Sequence, residues 1–269
     1  MAATNEIMKS RRKLATDLRK LSDVIYEFFP TAEISSFESA ITELRNKNII
    51  PQVPEKASNN NLWGYNLGRL IFNIDTIPSH TKPDNCKDLK LILDIKAIGN
   101  CNDLNSLKDP FEWLEFNIVI EGKKYLENDN IIPLITSYHL DRDIIKEGDG
   151  EAEYPHPFYH FQFGGRKLAT QEGLIDTGNL LVFDSPRIAH YPMEAVLGID
   201  FTLSNFFPTI WRKIRSESSE YLNLIEEYQD LFLKPYIHTH ASQWDYLYGE
   251  ISTSEIWSPN MICPQLFNS

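Results

Sequence analysis

Trp113-Leu-Glu-Phe-Asn-Ile-Val-Ile-Glu-Gly122 (WLEFNIVIEG) is the stretch whose reading decides the fold class. Glu115 and Asn117 fall on one face and Leu114, Phe116 and Ile118 on the other. That period of two belongs to a half-buried strand, whereas a helix would repeat its apolar positions every three or four residues. Glu121-Gly122 then reads as a hairpin turn. The same grammar recurs at Gly64–Ile74, Leu89–Ile98, Ile131–Asp141, Phe158–Phe163 and Leu180–Asp184, with Gly, Asn, Asp and Pro in the breaks. Such residues supply the backbone angles that turns require. Six short strands without long helices between them predict a mostly antiparallel sheet.

On either side the period changes. Leu14, Leu18, Leu21, Ile25 and Phe28 form an a/d-type stripe on one helix ending at Pro30. The stripe either packs on the chain's own core or offers a seam to a protein partner or a second copy. Ser35-Ser-Phe-Glu38 reads as a capping box opening a second helix through Phe37, Ile41 and Leu44. Residues 51–62 are rich in Pro and Asn and form a loop. Beyond Pro192 the run PMEAVLGIDFTLSNFF predicts a buried helix with proline in its first turn. Ile210–Ile214 and Tyr221–Leu233 predict two more helices, the last stopped at Pro235, with an irregular aromatic tail from His238. The expected fold is α+β: a helical hairpin in residues 1–50, a sheet region in 62–190 and helices in 191–269, as one compact unit.

The 269 residues carry a net charge of −12, so nucleic acid could be held only through local basic clusters. Two are present: Lys9, Arg11, Arg12, Lys13, Arg19 and Lys20, then Arg212, Lys213 and Arg215. Cys86, Cys101 and Cys263 are an odd set without CxxC spacing, which points to reduced thiols. The N-terminus has no apolar signal core, and no run approaches the roughly 18 apolar residues of a membrane span. A soluble cytoplasmic protein without membrane contact is expected.

Candidate chemistry gathers in Tyr154-Pro-His-Pro-Phe-Tyr-His-Phe-Gln-Phe-Gly-Gly165. The prolines forbid a helix, so His156 and His160 are not the i, i+4 zinc pair of a metalloprotease. As a strand, it puts Tyr159, Phe161 and Phe163 on one face and Phe158, His160, Gln162 and Gly164 on the other. In Thr136–Asp143, residues Ser137, His139, Asp141 and Asp143 share a face, so antiparallel pairing would aim His139 and His160 together. Arg187 and His190 follow in the connection Ser185–Pro192. Asp200 sits among apolar neighbours and needs a partner, a histidine or Arg187 being the candidates.

Several readings of this constellation are open. The histidines can be core residues, or His139, His160 and His190 with Asp141 can hold a divalent transition metal. They can also cleave a phosphodiester without metal, with His160 and His139 moving the proton, His190 and Arg187 assisting and Asp200 orienting. His156, Tyr159, Gln162, Gly164 and Gly165 would then contact substrate, or a ring could stack there without chemistry. A weaker rival is Asp75 with Asp94-Ile-Lys96, the acidic-x-Lys pattern of a magnesium-dependent nuclease core. P-loop, GxGxxG, GxSxG and HExxH motifs are absent. The leading expectation is a hydrolase with a histidine-centred site acting on RNA or another phosphodiester. The alternative is a non-enzymatic subunit of a larger assembly.

The set SYHLD, HPFYHFQFGG and SPRIAHYPMEAVLGIDFTLSNFF resembles signatures of bacterial proteins encoded near mobile-element and phage-defence genes. A fainter resemblance, within residues 135–195, is to small histidine-rich toxin ribonucleases of toxin–antitoxin pairs. It implies a defence or toxin-type role and assigns no residue.

Overall fold

The strand around Trp113 becomes the third of six in one antiparallel meander. A computed structural model describes residues 2–46, 62–78, 81–100, 109–126, 130–142, 157–164 and 185–242. The strands are β1 (Leu62–Asn73), β2 (Cys86–Asn100), β3 (Phe111–Tyr125), β4 (Ile131–Arg142), β5 (Tyr159–Phe163) and β6 (Ile188–Ala189), paired in sequence order. With helices before and after it, the chain is α+β.

One expectation about the strands changes. Glu121-Gly122 is no turn: β3 runs on to Tyr125, and Glu121 pairs with Lys90 on one side and Ile135 on the other. Pairing on both sides satisfies the amides that a turn would have exposed. Leu180–Asp184 lies outside the described residues. Among the described residues the sixth strand is Ile188–Ala189, inside the connection Ser185–Pro192.

Register lines up the apolar face. Leu67, Ile95, Phe116, Leu140 and Phe161 stand side by side across five strands. The first four are buried and Phe161 packs against them. The helices cover this face: α1 (Ala2–Phe28), α2 (Ser36–Arg45), α3 (Ala195–Phe206), α4 (Pro208–Glu217), α5 (Ser219–Tyr228) and α6 (Lys234–Ser242). On α3, Phe201 meets Phe116 edge-on and Phe161 at 5.5 Å between centroids. Phe29 and Phe207 close on Phe72, and Phe232 on Phe111. The stripe on α1 packs inward, with Leu14, Leu18, Leu21 and Ile25 buried in this same core.

Other helix expectations need correction. The capping box does not form: Ser35 makes no side-chain cap, and Glu38 forks onto Arg19 of α1. An arginine fork outcompetes one exposed amide. Pro192 stands outside α3, whose cap is Glu194, accepting from the amides of Val196 and Leu197. Pro235 does not end the last helix. A π-helical turn (Gln229–Leu233) precedes it, and α6 continues through His238 to Ser242. Proline is tolerated there because it sits in the first turn of α6.

The basic clusters are largely absorbed by the fold. Arg11 is buried and donates to the carbonyls of Glu43, Leu44 and Asn46, closing the C-terminus of α2. Lys13 pairs with Asp17 and Glu227, Lys213 lies over Phe28, and Arg215 lies over Trp211 beside Asp200.

Candidate metal centre

One residue out of step with the apolar row lies a second row, on the opposite face. Asn66, Lys96, Glu115, Asp141 and His160 stand in register from β1 to β5. Beside them run Asp94, Asn117, His139 and Gln162. Period-two alternation dictates this split: the residues between the core positions must point away from the helices.

On this face β4 and β5 bring three side chains together. His160 Nε2 lies 2.9 Å from Asp141 Oδ1. The His139 and His160 rings are 5.8 Å apart and nearly perpendicular. One donor atom each from His139, Asp141 and His160 falls within a mutual 4.8 Å. Two donors each about 2.1 Å from one ion lie about 3 Å apart, so the pair His160–Asp141 is already at ligand spacing.

Burial adds a second argument. His160 is 2 % exposed, whereas 43 % of the Asp141 side chain is exposed. Nδ1 of both histidines is buried, and His160 turns its Nε2 toward Asp141. This arrangement weighs against His160 as a proton shuttle. One of its nitrogens faces Asp141 and the other is inside the protein, where no substrate proton can reach it.

The other residues singled out by the sequence fall elsewhere. His190 lies on the helix side, with its ring between Phe161 and Phe201, and its Nδ1–H donates to the Tyr191 carbonyl at 2.8 Å. Burial pushes its pKa down, which keeps it neutral. Alternation explains the separation: Ala189 is opposite His160, so the next residue points to the other face. The same rule carries Arg187 to the His160 face. Asp200 is held by Trp211 Nε1 at 2.8 Å, Tyr221 Oη at 3.0 Å and Arg215, not by a histidine or Arg187. Its partners come from the next two helices, which α3 crosses.

Tyr159 is fully buried on the helix side and donates to Asp109, which also holds Arg142. Gln162 is on the metal-centre face but buried, and its Nε2 donates to the Ser185 carbonyl. Gly164, with φ of +86°, lets another backbone come close: its N–H donates to Ser137 O and its carbonyl accepts from the Ser137 hydroxyl. His156 and Gly165 lie outside the described residues. Of the rival motif, Asp94 and Lys96 share the polar face, whereas Asp75 sits exposed beyond the end of β1.

Glu115 and Asn117 went unassigned as site residues, although the sequence put both on one face. Their relevance depends on a long-range register, Glu115 opposite Asp141 and Asn117 opposite His139, which no local pattern specifies.

No protein-family model, curated protein or solved structure matches the chain.

Proposed function

We propose that the chain is a metal-dependent hydrolase of phosphodiesters, with RNA as the first substrate class to test. The observation that carries the reading is the convergence of His139, Asp141 and His160 donors within 4.8 Å on the sheet face opposite the helices. Two imidazoles and one carboxylate suit zinc, manganese or iron, and three protein ligands leave positions open for water and substrate. A water polarised there becomes a nucleophile near neutral pH. Lys96, on the same face of β2, supports the reading, since a cation near the centre suits an anionic substrate.

Elemental analysis of untagged protein loaded with zinc or manganese tests this, wild type beside His160→Ala. About one equivalent in wild type and none in the variant is expected, with both folded by circular dichroism. Metal-loaded wild type should then cleave single-stranded RNA in a chelator-sensitive way. Equal metal in both proteins would refute the site.

A second reading, a non-enzymatic subunit, is favoured by the exposed apolar pair Phe163 and Ile188 at the β5–β6 edge, 41 % and 61 % exposed. Under it His160→Ala would bind no less metal than wild type and would lose stability instead.

A further inference from the structure

Glu115 is the acidic group nearest in register to the centre that is not one of its three ligands. It stands directly opposite Asp141 on β3, on the same face. Directly opposed side chains have their Cβ atoms about 5 Å apart, within reach of a water held between them. The carboxylate is fixed: Oε1 accepts from Trp113 Nε1 at 2.9 Å, two residues back along the strand. The Trp113 ring is itself covered by the Lys96 ammonium at 5.4 Å, and Lys96 is the register neighbour of Glu115 on β2. A half-exposed glutamate would ordinarily sample many rotamers; this one is held by an indole that is braced in turn. Its second oxygen, Oε2, has no hydrogen-bond partner among the described residues.

The two histidines cannot serve as the base, since an imidazole nitrogen bound to an ion has no lone pair left and both Nδ1 atoms are buried. An ion on Asp141 lowers the basicity of its carboxylate, so a carboxylate outside the ligand set is the better base. We infer that Glu115 is the general base of this site, taking a proton from the water that attacks the substrate phosphorus. The inference rests on the hydrolase reading above. In the step, an O–H bond of water breaks and its proton passes to Glu115 Oε2. The oxygen forms a bond to phosphorus, the bond from phosphorus to the leaving oxygen breaks, and Glu115 returns the proton to that oxygen. Water and diester become monoester and alcohol, with no other reactant.

Glu115→Gln keeps an acceptor for Trp113 and removes the base. The protein is the full chain loaded with Mn²⁺, and the substrate probe is bis(p-nitrophenyl) phosphate. Mn²⁺ binding is followed by calorimetry, and turnover by release of p-nitrophenolate. Glu115→Gln should bind Mn²⁺ with the wild-type stoichiometry and with affinity within about threefold. Its kcat should fall by about 100-fold or more, with KM kept. Glu115→Asp, a carboxylate with shorter reach, should recover part of the rate. Wild-type turnover in Glu115→Gln would overturn the inference, as would loss of its Mn²⁺, which would make Glu115 a ligand. A wild type that binds no Mn²⁺, or binds it and leaves the probe intact, overturns the hydrolase reading itself.

Discussion

Glu194 is asked to do two opposing things. As the cap of α3 it accepts from the Val196 and Leu197 amides and from the Tyr65 hydroxyl, all of which favour the carboxylate. As a fully buried group it is penalised for carrying charge, and burial wins, pushing its pKa up from 4.5 to about 7. The folded state therefore holds a proton that the unfolded chain has released. The associated stability is complete below about pH 4.5 and is lost as pH rises through about 7, an effect on the order of 3 kcal/mol. Buried Asp109, also pushed up by desolvation, acts in the same direction. Urea unfolding of wild type near pH 5 and pH 8 should show the loss, and Glu194→Gln should show a clearly flatter dependence. Identical slopes in the two proteins would assign the pH dependence to other groups. At this scale the sequence was readable where alternation decides: His139, Asp141 and His160 share a face as their spacing requires. It was silent where partners are distant. Nothing in PMEAVLG marks Glu194 as a cap reaching Tyr65, and nothing near Asp200 names Trp211 and Tyr221.

Elements are positioned by one close approach. Gly198 of α3 lies against Phe116 of β3, and a Cβ there would come within 2.5 Å of the ring. Alanine favours a helix over glycine by about 1 kcal/mol. The clash is with a wholly buried ring in a packed core, where overpacking costs about 1–3 kcal/mol. Gly198→Ala should therefore be destabilised by about 1 kcal/mol or more in urea unfolding. A stabilised variant would mean that α3 can lift from the sheet without loss. The sequence showed the helix and its apolar character but not which residue touches the sheet, because the run is apolar nearly all round. The capping box failed for the same reason of scale: its local geometry was sound, yet Glu38 had a better partner on α1. Strand lengths were underread too. β3 runs through Glu121-Gly122 because both neighbouring strands supply hydrogen-bond partners there.

Across the whole molecule the sheet divides the labour. The helix side holds the apolar core, and the opposite face holds the candidate centre, so stability and ligand binding should be separable. A metal that binds only the folded state adds RT ln(1 + [L]/Kd), about 2.7 kcal/mol at a hundredfold excess over Kd. In a chain of this size that corresponds to a rise in Tm of about 5–10 °C. The ion would also tie His139 and Asp141 of β4 to His160 of β5, two strands whose connection spans residues 143–158. Wild type should show the increment with zinc or manganese and lose it on chelation, and His160→Ala should not show it. Gly198→Ala, altered only on the helix side, should start from a lower Tm and gain the same increment. If its increment is instead much smaller than that of wild type, the two faces are coupled through β3, and the centre depends on how tightly α3 seats against Phe116.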